Sequence, residues 1–375
     1  MPVPGVDPEV EAETEYRMRV LEPGFSDRVV VPPGDKLYDP MLGWTSPVDH
    51  SLILCDIGGQ PERGWDPARG HGSILRLRAD DVLETIVGPE NIGGGMPMSP
   101  REATGEFGSY GGRIFYVGQT LPGRHGALSE HAVFIVEDNV GKIFSSLPHA
   151  GKQGNGIPGA LCIGGFGPKG TAEEGYYFCN SQMNCVVYRV DPDGHPDVWL
   201  VLDEPNLPFS VMPYRVFWAG PSWGDLEGTM MVAGLAGSSF EREAPTGNIV
   251  KYFTIKDGKV SKDPVREADL GYSMAVVAPP EFGPFGGHTF LVDFGSVNLM
   301  HVTKPEPGPL PYNSRIVRID PEGNEHTFAD GLQSGWNEVV FDGPRMVVGC
   351  LRRSYSTGEY HEPDGSLYEI KYEAK

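Results

Sequence analysis

The stretch Ser314-Arg-Ile-Val-Arg-Ile-Asp320 sets an apolar trio, Ile316, Val317 and Ile319, among arginines and closes on an acid. Such a segment is a short strand, and the Asp-Pro-Glu-Gly that begins at Asp320 is a hairpin turn. Its design recurs along the chain. It is found as Gly72-Ser-Ile-Leu-Arg-Leu, His131-Ala-Val-Phe-Ile-Val, Asn184-Cys-Val-Val-Tyr-Arg-Val-Asp, Gly247-Asn-Ile-Val-Lys-Tyr-Phe and Gly365-Ser-Leu-Tyr-Glu-Ile. The six copies follow one another at intervals of 51 to 67 residues, the spacing of a supersecondary repeat.

Upstream of each copy lies a second apolar strand: 52–56, 113–118, 176–180, 229–234, 288–293 and 345–350. Two of these share the lead-in Phe-Gly-x-x-Gly-Gly, at Phe107 and Phe282, which reads as a turn. A third strand precedes these, with Arg28-Val-Val-Val-Pro-Pro matching Ala275-Val-Val-Ala-Pro-Pro, and Arg215-Val-Phe-Trp-Ala-Gly and Glu338-Val-Val-Phe-Asp-Gly in the same frame. Polar fourth strands follow at 83–87, 142–146, 198–202 and 326–329. Four short strands repeated six times, without long helical periodicity, predict an all-β chain: a single six-bladed β-propeller of four-stranded antiparallel blades. The last repeat ends without an outer strand. An N-terminal strand, Tyr16 to Leu21, is expected to supply it and so remove an open edge. Residues 1–15 are expected to be a flexible segment and 16–375 the propeller.

Composition narrows the partners. A net charge of -21 argues against nucleic acid and against an anionic membrane surface, both of which need clustered Lys and Arg. The five cysteines form no Cys-x-x-Cys pair, so neither a disulfide framework nor a thiolate zinc site is expected. No apolar run is long enough to span a membrane, and residues 1–15 lack the basic start and apolar core of a secretory signal. A cytoplasmic protein with a small-molecule substrate is the expectation.

Antiparallel geometry puts the start of each inner strand and the end of its neighbour on one face. At that face the sequence offers Asp27, Asp56, Asn155, Asn180, Asp293, Asn337 and Glu338. Oxygen donors converging from separate strands suit a hard divalent cation, calcium first and magnesium next. Acidic strand ends also cap turns without any ion. Asp27, Asn155 and Asn337 are the candidate metal ligands, Asp293 and Glu338 the candidate acid–base groups, and Arg215 the candidate holder of a carboxylate or oxyanion. Met98, Tyr214, Met274, Trp336 and Asn180 are candidate pocket residues, an adaptable apolar lining unless they simply plug the channel. A rival set is His71, His125, His149, His301 and His361, in loops of the same face, which suits a transition metal or a general base. His50 and His288 start second strands on the opposite face and read as structural.

This repeat pattern, with Asn155-Gly-Ile, resembles the superfamily of six-bladed propellers that includes gluconolactonases, regucalcin (senescence marker protein) and diisopropyl-fluorophosphatase-like hydrolases. The resemblance implies one calcium or other divalent ion in the central channel, held by Glu, Asn and Asp from inner-strand starts. The family's Glu-Gly-Pro is replaced here by Ser26-Asp27-Arg28. The implied activity is a metal-dependent lactonase or esterase, with a lyase or isomerase at the same site, or a binding propeller, as the alternatives.

Overall fold

Six antiparallel sheets collect the strands, one sheet per repeat. The chain is seen in a computed structural model describing residues 18–32, 36–38, 40–46, 49–56, 72–103, 105, 107–120, 131–147, 161–180, 186–202, 211–219, 221–236, 249–256, 258–269, 276–293, 314–332, 337–350 and 365–373. Two N-terminal strands come first, β1 (Arg19–Val20) and β2 (Phe25–Val31). Blade one is β3 (Pro40–Thr45), β4 (Leu52–Asp56), β5 (Ser73–Leu77) and β6 (Leu83–Val87), from the axis outward. Blade two is β7 (Gly94–Glu102), β8 (Ile114–Thr120), β9 (His131–Glu137) and β10 (Val140–Ser146). Blade three is β11 (Leu161–Phe166), β12 (Tyr176–Asn180), β13 (Val186–Val190) and β14 (Pro196–Val201). Blade four is β15 (Val211–Trp218), β16 (Met230–Ala236) and β17 (Ile249–Lys256), with β18 (Lys259–Val260) and β19 (Arg266–Asp269) both on β17. Blade five is β20 (Val276–Val277), β21 (Thr289–Asp293), β22 (Ser314–Ile319) and β23 (Glu325–Leu332). Blade six is β24 (Asn337–Asp342), β25 (Arg345–Cys350) and β26 (Ser366–Tyr372), completed by β2. No helix among the described residues is long and apolar enough to cross a membrane.

The ring is closed by an N-terminal strand, as expected, but by a different segment. β2 pairs with β26 from Phe25 opposite Tyr372 to Val31 opposite Leu367. The segment expected in that role supplies β1, which lies on the outer edge of blade five, Arg19 opposite Asp330. Arg28-Val-Val-Val-Pro-Pro is therefore an outer strand, and the inner strand of blade one is Pro40–Thr45. Its single glycine is required by packing. A Cβ on Gly43 would stand 2.5 Å from the carbonyl oxygens of both Ile53 and Pro100.

The Phe-Gly-x-x-Gly-Gly lead-ins are more than turns. Phe107 and Phe282 are fully buried. Each packs on the inner strand of the following blade, Phe107 on Phe166 at 5.1 Å and Phe282 on Phe341 at 4.8 Å between ring centroids. The first and last glycines of both motifs take positive φ, Gly108 at 48°, Gly112 at 78°, Gly283 at 64° and Gly287 at 86°, which a side chain disfavours. In both, the last glycine donates back to an alanine carbonyl, Ala103 or Ala278. Blade four repeats this frame with Ala219, Trp223, Gly224 and Gly228. Trp223 thus stands where the other two blades carry phenylalanine.

Candidate functional site: an aromatic, cationic cavity at the axis

Phe166 and Phe341 fill the seams ahead of Phe107 and Phe282. In the seam between blades four and five the facing residues are Val276, Val277 and Ala278, which are smaller, and space remains. A cavity of about 420 Å³ lies there, bounded by Trp218, Trp223, Phe217, Tyr252 and Phe166 and by the side chains of Arg101 and Arg215. Period-two alternation sets Arg215 and Phe217 on one face of β15, and the guanidinium stands 5.4 Å from the Phe217 ring centroid. Across the sheet Arg215 pairs with Ala233, and Ala233 with Tyr252, so Tyr252 shares that level. Trp223 closes the aromatic wall, 5.7 Å from Phe217 and 5.5 Å from Tyr252. Trp218 points the other way, against Tyr177 at 5.3 Å.

The electrostatics follow from this enclosure. Burial strips water from the Arg215 guanidinium and the charge of Arg101 acts on it, bringing its pKa down to about 10, while Tyr252 and Glu338 act in the opposite sense. Arg215 remains a cation at neutral pH. Among the described residues that line the cavity there are two arginines and no carboxylate.

The cavity opens where inner strands finish: Arg101 lies near the end of β7, Gly165 and Phe166 at the end of β11, Trp218 at the end of β15. The candidate ligand and acid–base groups are expected at the other face, where inner strands begin. There the structure does bring Glu338, at the start of β24, to the same face as Asp56, Asn180 and Asp293, at the ends of β4, β12 and β21. The three carboxylates are already engaged. Glu338 is buried and accepts from the Leu42 N–H at 2.6 Å. Asp56 accepts from the Tyr38 N–H at 3.1 Å. Asp293 accepts from Arg315 at 2.9 Å. Asp27 is displaced altogether, because β2 is the outer strand of blade six and Asp27 pairs with Ile370 far from the axis. Met98 is core between blades one to three, packed with Met41, Ile53 and Val117, and does not line the cavity.

Asn155, Met274 and Trp336 lie outside the described residues, as do His71, His125, His149, His301 and His361. Tyr214, Asn180 and Asn337 are placed on β15, β12 and β24 by their backbones. His50 pairs with Asp342 at 2.8 Å and His288 Nδ1 accepts from the Arg318 guanidinium at 2.9 Å, both as parts of the framework. At this face the described residues assemble no ligand set for a divalent ion, since Asp27 is elsewhere and Asp56, Glu338 and Asp293 accept from protein donors. The grouping of possible ligands that the described residues do offer is Asp191, Asp193 and His195. It sits in the β13–β14 hairpin, where Asp191 receives the backbone N–H of Asp193 and His195.

Arg101, Phe217, Trp218, Trp223 and Tyr252 were not singled out by the sequence reading. One signal was present: the spacing Ala219-x-x-x-Trp223-Gly224 repeats that of Ala103 with Phe107 and Ala278 with Phe282.

No family model matches the sequence, and no curated protein matches it either. Solved structures do. An α-L-arabinanase from Penicillium chrysogenum, solved with arabinobiose, superposes with a TM-score of 0.57 at 12% identity over 92% of this chain and 98% of that one. The shared feature is the fold. An α-L-arabinofuranosidase from Fusarium graminearum, solved with an iminosugar inhibitor, gives 0.55 at 12% over 91% and 98%. A candidate gluconolactonase gives 0.50 at 11% over 95% and 97%, so the resemblance read from the repeats returns at the level of the propeller.

Proposed function

We propose that this propeller is a hydrolase-type enzyme acting on a small, sugar-derived molecule, a lactone or ester, taken into the cavity at its axis. The observation that carries the reading is the cavity itself, with aromatic walls and two guanidinia arriving from separate blades. A concavity that joins aromatic walls to a few convergent polar groups is the usual form of a small-molecule site. Flat indole and phenyl faces suit the C–H surface of a sugar ring. Arg215, held rigidly on an inner strand, offers its N–H groups to an oxygen that gains charge during acyl transfer, the role of an oxyanion hole. Support also comes from the sugar hydrolases among the structures that share the fold.

A divalent ion belongs to the lactonase form of this reading through the family resemblance, where it would polarise a carbonyl. With no ligand set assembled at the axis among the described residues, no step is drawn through it. Glu338 and Asp293 lie at the other face of the ring from the mouth of this cavity, so the reaction proposed here does not draw on them as its acid and base.

The test is turnover of a panel of aldonolactones, sugar esters and nitrophenyl glycosides by the purified protein and by Trp223→Ala. Hydrolysis of at least one member, falling about tenfold or more in kcat/KM on removal of the indole, is the expected result. Folded protein that turns over none of them would overturn the reading. Elemental analysis before and after chelation checks the ion: stoichiometric calcium or magnesium with activity lost on chelation supports it, and full activity without metal removes it.

A further inference from the structure

We infer that the seam between blades four and five is a binding slot for a planar aromatic ring, the phenyl or phenol group of a small ligand. The ring lies between Trp223 and Val277, where two other seams hold a phenylalanine of the chain itself. The slot is argued from packing alone. Only the sugar that such a ring would carry, as an aryl ester or aryl glycoside, rests on the proposed reaction. Strand register identifies the position. Phe166 pairs with Tyr176, Phe341 with Met346 and Val277 with Thr289. Those three partners each lie four residues before the last residue of their strand, Asn180, Cys350 and Asp293. Val277 therefore holds in blade five the place of Phe166 in blade three and Phe341 in blade six. In those two seams the ring packs on the aromatic of the preceding blade's lead-in, 5.1 Å from Phe107 or 4.8 Å from Phe282. Blade four presents the same lead-in, with Trp223 in that role, to a valine.

The residue across the strand pair is smaller as well. Tyr176 lies 4.9 Å from Phe166, whereas the partner of Val277 is a threonine, Thr289. The larger indole does not make up the volume. Trp223 packs within its own blade, on Phe217 at 5.7 Å and Tyr252 at 5.5 Å, and a cavity of about 420 Å³ remains, lined by Trp223, Val277 and Thr289 among others. Interiors are close-packed, and a core position that loses a large side chain loses stability unless something fills it. An aromatic ring placed there meets Trp223 as Phe166 meets Phe107, within the 4.5–7 Å at which ring pairs attract. A saturated ring of equal size fills the space but lacks the charge distribution that pairs with an indole face. The cavity also reaches Phe166 and Trp218, where it opens, so the rest of the ligand extends to that side.

Calorimetric titration of the full chain with phenol and with cyclohexanol, its saturated counterpart, tests the slot. Phenol is expected to bind, with cyclohexanol roughly 2- to 12-fold weaker, the worth of an aromatic pair. Val277→Phe supplies the ring that the other two seams carry, so phenol should bind at least about tenfold more weakly while the melting temperature holds or rises. Val277→Leu fills the slot in part and should weaken phenol to an intermediate degree, which keeps the test if the larger residue prevents folding. Melting curves establish which variants fold. No binding of phenol, equal binding of the two rings, or folded variants that bind phenol as the parent does would each overturn the inference. Phenol binding that is lost in Val277→Phe, without turnover of any lactone, ester or glycoside, would leave the slot standing and remove the proposed reaction. Turnover of methyl and phenyl sugar esters at equal kcat/KM, with no phenol binding, would do the reverse.

Discussion

Glu338 shows how one side chain serves both the axis and the ring. It is 1% exposed, its Oε2 accepts the Leu42 N–H at 2.6 Å, and its charge reaches Arg215. Glu338→Ala strands a buried backbone donor on blade one and is expected to cost about 2 kcal/mol of stability, with Glu338→Gln, which keeps an acceptor, costing less. Chemical denaturation of the three proteins measures the order; equal midpoints would show that the bond contributes nothing. Gly43 is the converse case, where absence of a side chain is the function. Gly43→Ala must displace the carbonyls of Ile53 and Pro100, and a loss of about 1–3 kcal/mol is expected from the overpacked contact.

At the scale of the element, β2 is held by aromatic packing on one side and ions on the other. Phe25 stacks on Phe285 at 5.5 Å and meets Phe282, Phe328 and Tyr372 at 5.1 to 5.3 Å. Phe25→Ala should therefore cost about 3 kcal/mol although it lies in an outer strand, read from the denaturation midpoint. Arg28 bridges Glu369 of β26 at 2.8 Å and Asp81, in the β5–β6 turn of blade one, at 2.7 Å. The hydrogen bond from Arg28 holds the Asp81 carboxyl below its ordinary range. Its stabilisation is complete above the unfolded value of about 4 and is lost as pH falls through it towards the lower folded value. Melting temperature should drop between about pH 5 and about pH 3, and less so in Asp81→Asn. The repeat itself was legible, and second, third and fourth strands lie where the apolar runs put them. The inner strand of blade one was not, because Pro40-Met-Leu-Gly-Trp-Thr carries a proline and a glycine that weaken any strand signal. The string Val29-Val-Val-Pro-Pro, by contrast, copies an inner strand, and alternation does not tell the axial strand of a blade from its rim. Asp27 was misplaced by that one substitution of frame, while Arg215 lies on the inner strand expected because β15 keeps the frame its neighbours set.

Taken whole, the molecule surrounds a cationic cavity with a chain of net charge -21. The ring closure has a consequence in time. Arg28 and its partner Glu369 are 341 residues apart, so the first is made well before the second. At roughly 5–20 residues per second, β2 waits on the order of 20 to 70 s on the ribosome before its mate exists. Until then this strand is an unpaired edge, open to chaperones and to the same strand of a neighbouring nascent chain. The circle becomes topologically complete only once β26 has been made.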